Sequence, residues 1–278
     1  MPSSPPLATD DISRSLATKS LGHRLHLHNQ IPSTNTVALS LAQAGAAHGT
    51  VVIAEGQTAG RGRHGRPWFS PTGENLYCSV LLRGIGQSSL PIERQTWVPL
   101  VSALAVSQTV KNMIDAPLFL KWPNDLLLYE RKVGGILCES SQSTTGDRIV
   151  VIGIGLNVNT PRQSFPAVLK PIAASLIEHT SHTIDRNQLL ANLLIELERQ
   201  LDRLYSFDLA QIRQAYIDRC TTLGRSVHVM LGTGHELIGT AESIAQDGAL
   251  QVRTSTHAAP SNTPLIEVRA ADVIHLTG

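Results

Sequence analysis

The residues best suited to chemistry form one stretch: Gly60-Arg61-Gly62-Arg63-His64-Gly65-Arg66-Pro67-Trp68-Phe69-Ser70-Pro71. Arginine supplies fixed, planar donor forks for phosphate or carboxylate. Glycine lets backbone N–H groups approach a ligand closely. Such a loop suits a segment that closes over an anionic small molecule and stacks an aromatic ring on it. The apolar run Thr50 to Ala54 before it reads as a buried strand, so the loop hangs on a rigid scaffold. The glycines also match a dinucleotide fingerprint, Gly60-x-Gly62-x-x-Gly65, but that motif must open a helix, and Pro67, Pro71 and Gly73 forbid one.

Three further clusters begin or end at expected strands. Lys121-Trp122-Pro123-Asn124-Asp125 brackets a turn-stiffening proline with a cation, an amide and a carboxylate. Lys132-Val133-Gly134-Gly135 reads as a turn that offers a compact positive charge beside accessible backbone. In Gly153-Ile154-Gly155-Leu156-Asn157 the glycines mark close approach of a ligand or another backbone, and the asparagine amide matches the donor–acceptor edge of a purine. Ser33-Thr34-Asn35 is explained by helix capping without a ligand, and Gln57 by an ordinary loop.

The elements that must position these groups are legible in outline. Strands are expected at Gly22 to Gln30, Thr50 to Glu55, Asn75 to Arg83, Leu118 to Trp122, Leu126 to Tyr129, Ile136 to Ser140 and Arg148 to Asn157. Helices are expected at Thr36 to Ala44, Ile92 to Met113 after Pro91, Arg186 to Tyr205 with Asp185 as N-cap, and Leu209 to Cys220. Helices and hairpin-like strands segregate, which predicts an α+β fold. From Leu223 onward short β-type runs alternate with turns at Gly232-Thr233-Gly234 and Asp247-Gly248, the pattern of a small β-barrel. Residues 1–20, rich in Pro, Ser and Thr, are expected to be a loose tail, residues 21–221 one domain and residues 222–278 a second.

Composition narrows the class. The chain has 278 residues, 42% of them hydrophobic, enough for a sizeable core. A net charge of +1 and 4% aromatic content give no chain-wide footprint for nucleic acid. No apolar stretch is long enough to span a membrane, and the first residues lack a signal-peptide core. Cys78, Cys138 and Cys220 are widely spaced and odd in number, without metal-ligand spacing, which fits a reducing cytoplasm.

Taken in order, Gln57-Thr58-Ala59-Gly60 through Pro71, Asn75-Leu76-Tyr77, the Lys121 to Asp125 cluster, Lys132 to Leu137 and Gly153 to Asn157 resemble biotin protein ligases. The likeness is strong from Ser33 to Asn157. It continues weakly into Gly239-Thr240-Ala241 and Asp247-Gly248-Ala249-Leu250. It is closest to the short form of the family, which lacks an N-terminal DNA-binding domain. The resemblance implies a mixed β-sheet with helices packed on one side, followed by an SH3-like barrel. It implies a two-step reaction in which biotin and MgATP give biotinyl-5′-adenylate, and a lysine of a biotin carrier domain then displaces AMP.

Residue by residue, the resemblance implies that Lys132 bridges the biotin carboxylate and the α-phosphate, and that Arg61 and its loop retain the adenylate. The loop is expected to be flexible without ligand and to order on binding. Arg63 and Arg66 are expected to meet the ATP phosphates, with Lys121 and Asn124 nearby. Trp68 is expected to stack on adenine, and Asn157 to bond its edge. Ser33, Thr34, Gln57, Gly60, Gly134 and Gly155 are expected around biotin. Asp125 is expected to orient Lys132, the Mg2+ or the incoming lysine, and the metal ligands are left open. The implied partners are carrier domains of acetyl-CoA carboxylase or pyruvate carboxylase, with no DNA or membrane, in a monomer or homodimer. The rival readings are a lipoate or octanoate protein ligase and a non-catalytic biotin sensor. The polar trio Ser33, Thr34 and Gln57 favours biotin over those greasy acyl groups, and the presence of Lys132, Arg61 and Asp125 disfavours a sensor.

Overall fold

The run Arg148–Leu156 alternates Val150, Ile152, Ile154 and Leu156 with Ile149, Val151, Gly153 and Gly155, so its two faces meet different neighbours. It is the central strand of the larger of two sheets. The computed structural model describes residues 4–84, 92–143, 146, 148–206, 208–231, 235–254, 264–269 and 271–276. Pro91, expected just before a helix, and the turn at Gly232-Thr233-Gly234 lie outside the described residues.

Seven strands build this sheet: β1 (Arg24–Ile31), β2 (Thr50–Gln57), β3 (Leu76–Arg83), β4 (Phe119–Lys121), β5 (Asp125–Leu128), β6 (Arg131–Gln142) and β7 (Arg148–Leu156), in the order β1-β2-β3-β7-β6-β5-β4. β1 and β2 pair in parallel and every other pair is antiparallel, so the sheet is mixed. α1 (Thr9–Ser15), α2 (Thr34–Gln43), α3 (Ile92–Gln95), α4 (Val98–Ile114), α5 (Arg186–Tyr205) and α6 (Leu209–Ile217) complete this part. The helix expected over Ile92 to Met113 is two, because α4 restarts with Pro99 in its first turn. Asp185 caps α5 by accepting from the backbone of Asn187 and Gln188.

The main core lies on one face and joins Val150, Ile152, Ile154 and Leu156 in one cluster with Val101, Leu104 and Ala105 of α4 and Leu190, Leu194 and Leu197 of α5. The long helices therefore share one side of the sheet, as expected. The opposite face carries α2, seated by Ala38 and Ala42 on Val52, Leu81, Ile149 and Val151. Past Val151 that face presents Gly153 and Gly155, against which Asn35 and Trp68 lie. A second sheet follows, in the order β11 (Leu265–Val268), β10 (Leu250–Thr254), β9 (Glu236–Ile244), β8 (Ser226–Leu231) and β12 (Ala271–His275), antiparallel throughout. No helix among the described residues is long and apolar enough to cross a membrane. Burial pushes the Cys78 and Cys138 thiols up to about 12, which suits packing residues rather than nucleophiles.

The loose tail expected at the N-terminus is not found over residues 4–20. Leu7 and Ile12 are buried, and the Leu7 N–H donates to Glu55 Oε1 at 2.6 Å. The backbone N–H groups of Lys19, Ser20 and Leu21 converge on the Glu198 carboxylate. Arg186, fully buried, joins the segment to the sheet: it donates to Glu55 at 2.6 Å, to the Asn75 carbonyl at 3.1 Å and to the Pro5 carbonyl at 2.9 Å. Proline and serine in the sequence suggested disorder, but three buried charged side chains far away in sequence supply the partners. Removing one partner of a buried pair leaves the other charge uncompensated. Arg186→Ala is therefore expected to lower stability by about 3–5 kcal/mol, read as a shift in the urea unfolding midpoint at unchanged slope.

Candidate functional site

A cavity of about 420 Å³ opens at the glycine-bearing end of that sheet face, between the Arg-Gly loop, the residue 165–173 segment and β12. Its volume falls in the range of small-molecule sites, roughly 300–1,000 Å³. Ser33, Thr34, Gln57, Arg61, Arg63, Arg66, Trp68, Lys121, Asn124, Asp125, Lys132, Gly155 and Asn157 all line it. Gly60 and Gly134 do not: Gly60 backs the wall against the Gln57 amide, and Gly134 faces Leu126 and Leu156.

The floor of the cavity is β7. A methyl at Gly153 would fall 2.1 Å from Asn35 Oδ1, and one at Gly155 would fall 2.8 Å from Trp68 Nε1. The Asn35 amide and the Trp68 indole thus lie directly on strand backbone. Asn35 in turn donates to Glu139 at 2.7 Å and to the Leu137 carbonyl at 3.1 Å. Ser79 donates to Asn35 Oδ1 at 2.6 Å and sits 2.8 Å from Thr34 Oγ1. The Thr34 N–H donates to Gln57 Oε1 at 2.9 Å, and Gln57 Nε2 donates to Ser70 at 3.1 Å. Ser33 makes no side-chain cap bond, so its buried hydroxyl is not explained by capping. These groups form one preset polar corner of the cavity.

Lys132 is set by a β-bulge rather than by the turn expected there. The turn lies at Tyr129 and Glu130, with φ of 50° and 62°, a two-residue hairpin without the usual Asn-Gly. β6 begins at Arg131, and its register with β5 shifts between Leu126 and Leu127, leaving Val133 unpaired. Lys132 opposes Leu127 and Gly135 opposes Asp125. The extra residue brings Lys132 and Gly135, three apart, onto the cavity face and turns Gly134 inward. Lys132 Nζ then stands 2.5 Å from Asp125 Oδ1 and 5.3 Å from the Trp68 ring centroid. Its backbone is held in register by Lys132 N–H to Ile172 O at 2.7 Å and Ala174 N–H to Lys132 O at 2.8 Å.

The three loop arginines have protein partners. The Arg-Gly loop, expected to be flexible, is a tight hairpin with a bridge between Arg61 and Pro67. Arg61 reaches Thr36 Oγ1 at 3.2 Å and Glu139 at 3.5 Å. Arg63 donates to the Ala271 carbonyl at 2.9 Å and Arg66 to Asp272, so both meet β12. Burial lowers the pKa of Arg63 and of Lys121. Trp68 Nε1 is buried with no acceptor. Asn124 donates to the Ile136 carbonyl at 3.0 Å, and Asn157 donates to the Ala174 carbonyl at 2.9 Å, so one amide hydrogen of each serves the fold.

Sequence reasoning missed Ser79, Glu139 and Asp272, and it read Asn35 only as part of a capping cluster. Ser79 carried a signal, a hydroxyl inside the apolar run Leu76–Arg83. Asp272 carried none, because its partners lie some two hundred residues away.

Among the described residues no group of three or more His, Cys, Asp or Glu is placed to hold a metal. Asp125 and Asp272 line the cavity, each in an ion pair. That donor set fits a magnesium ion arriving on phosphates and keeping its waters, which needs one or two carboxylates, not a resident protein-caged metal.

A family model described as the biotin/lipoate A/B protein ligase family matches residues 27–159. The chain is 35% identical over 277 residues to the biotin–[acetyl-CoA-carboxylase] ligase of Mycobacterium tuberculosis, an alignment covering 98% of this chain and 97% of that one. It is 32% identical over 249 residues to the bifunctional ligase/repressor BirA of Bacillus subtilis, covering 90% of this chain and 75% of that one. Its fold is similar to that of the biotin protein ligase of Aquifex aeolicus in complex with biotin and ATP, with a TM-score of 0.76 at 26% identity, over 91% of this chain and 100% of that one.

Two predictions test the geometry. Gly153→Ala forces Asn35 off the strand, and overpacking of this kind costs about 1–3 kcal/mol; a lowered melting temperature is expected. His275, on β12, is pushed down from 6.5 to about 4 by burial and then by the Lys121 and Arg225 charges. A basic group depressed on folding makes the unfolded chain bind the extra proton, so stability falls as pH drops from 6.5 toward 4. His275→Gln is expected to flatten that part of a stability–pH curve and leave pH 8 unchanged.

Proposed function

The chain belongs to the biotin/lipoate A/B protein ligase family, in its biotin protein ligase branch, and from that premise we propose that it joins biotin to the acceptor lysine of an acetyl-CoA-carboxylase-type carrier through a biotinyl-adenylate held in this cavity. One observation carries the reading: Lys132, paired with Asp125, stands between a polar corner and a set of arginines. Residues 21–221 are taken as the catalytic domain and residues 222–278 as a small β-domain closing the cavity.

The polar corner suits the ureido ring of biotin. Thr34, Gln57 and the buried Ser33 hydroxyl offer donors and acceptors already held in place, so little ordering remains on binding. A purely apolar acyl chain would leave that corner unpaired, which favours biotin over lipoate or octanoate. The biotin carboxylate then lies toward Lys132. ATP brings its α-phosphate to the same ammonium, with Arg63, Arg66 and Lys121 around the remaining phosphates. Asp125 and Asp272 would be the carboxylates available to a magnesium ion arriving on the nucleotide, which would supply charge neutralisation on the phosphates. Trp68 offers adenine an aromatic edge and an indole N–H that no protein group accepts. Asn157 borders it.

In the first step a carboxylate oxygen attacks the α-phosphorus and the bond to the pyrophosphate oxygen breaks. Lys132 lowers the repulsion between the two anions and stabilises the charge that grows between them. In the second step the carrier amine attacks the acyl carbon and the bond to the AMP oxygen breaks. Asp125 is placed to take the amine proton once the ligand has drawn Lys132 away.

The purified chain incubated with biotin, MgATP and a carrier domain is expected to add one biotinyl mass to the carrier, measured by mass spectrometry. Lys132→Ala is expected to slow adenylation by roughly 100- to 1000-fold, about 3 kcal/mol, while keeping its melting temperature. A near-normal rate in that variant would remove Lys132 from the mechanism.

A further inference from the structure

The Arg-Gly loop has few internal restraints. Among the described residues its backbone bonds are Gly62 N–H to Arg66 O at 2.7 Å, Arg66 N–H to Arg63 O at 3.2 Å and Trp68 N–H to Gly60 O at 2.8 Å. Its remaining anchors toward the second sheet converge on two adjacent residues of β12. Arg66 donates to the Asp272 carboxylate, His64 Nε2 stands 3.6 Å from the other Asp272 oxygen, and Arg63 donates to the Ala271 carbonyl at 2.9 Å. Asp272 is the one acidic residue between 271 and 276, and its side chain is 18% exposed. Asp272, Val273 and Ile274 also form part of the cavity wall. The same strand therefore encloses the cavity and holds the loop that covers it.

We propose that Asp272 is a positioning residue for ligation: it fastens the Arg-Gly loop to β12, so that the acyl-adenylate stays in the cavity until the carrier amine arrives. The proposal rests on the reading of the cavity as the adenylate site. Ordering a glycine-rich loop costs conformational entropy, and a local hairpin with three backbone bonds offsets little of it. A charge-assisted bond to a half-enclosed carboxylate is the strongest restraint available to this loop. The acyl-adenylate is a mixed anhydride that water or any stray amine attacks once released. Retention by the loop thus bears directly on where the acyl group goes.

The test uses full-length protein loaded with biotinyl-adenylate, comparing wild type, Asp272→Asn, Asp272→Glu, Arg66→Ala and the Arg66→Ala/Asp272→Asn double variant. Two quantities are read: the rate at which adenylate leaves, followed in a chase with unlabelled adenylate, and the rate of ligand-free tryptic cleavage after Arg61 or Arg63. Asp272→Asn is expected to release adenylate about tenfold faster, the scale of one charge-assisted hydrogen bond. It is also expected to label a bystander protein that wild type leaves unmodified, and to be cleaved faster. Asp272→Glu, which keeps the carboxylate, is expected to restore retention, and the double variant to release no faster than the quicker single one. A merely structural role for Asp272 would lower the melting temperature without this pattern. Release and cleavage in Asp272→Asn within twofold of wild type, or fully additive effects in the double variant, would overturn the proposal. If wild type binds no adenylate, the reading of the cavity fails, while faster ligand-free cleavage in Asp272→Asn still supports the fastening of the loop.

Discussion

Everything in the site depends on two places in β7 where a side chain has no room. Ile149 and Val151, on the same face as Gly153 and Gly155, bind α2 to the sheet. Two residues further on, the strand offers only backbone, and Asn35 and Trp68 lie against it. A sheet face that is packed by α2 at one end and offers only glycine backbone at the other leaves room for a cavity. The opposite face of β7 meanwhile belongs to the main core that also holds residues of α4 and α5. The strand is thus rigid where the ligand meets it, which is what a site that orients two anions needs.

Electrostatics set the second constraint. Arg61, Arg63, Arg66, Lys121 and Lys132 border one cavity. So many like charges around a partly dry space would repel one another and would each pay for lost hydration. Glu139, Asp272 and Asp125 lie among them, paired with Arg61, Arg66 and Lys132 respectively. On the proposed reading an incoming carboxylate and phosphate draw Lys132 away from Asp125, while Asp272 keeps its hold on Arg66 and the loop.

The third constraint is at long range. Arg186 and Glu55 tie the first residues of the chain, the start of α5 and the strand that ends at Gln57 into one buried network. Trp97 and Trp122 donate to the carbonyls of Gln246 and Gly248, which seats the second sheet against the first. Trp122 itself lines the cavity, while the buried Arg186 network lies away from it and anchors the strand that ends at Gln57.

The sequence by itself marked out most of the groups that line the cavity. The Arg-Gly loop, Lys132, the Lys121 to Asp125 cluster and the β7 glycines are all local patterns, each readable because residue type and near-neighbour spacing carry the chemistry. It also determined the fold class, since strand and helix periodicities and turn residues are local. Tertiary structure alone decided the rest. The bulge at Val133, which turns Lys132 toward Asp125, follows from pairing with β5 and from a Tyr129-Glu130 turn whose residues do not announce it. The loose tail read from prolines and serines is packed over residues 4–20, because its partners, Glu55, Arg186 and Glu198, come from distant strands and helices. The grip of Asp272 on the Arg-Gly loop was invisible for the same reason. A hydrogen bond across two hundred residues leaves no period or spacing in the chain and exists only once the two sheets have met.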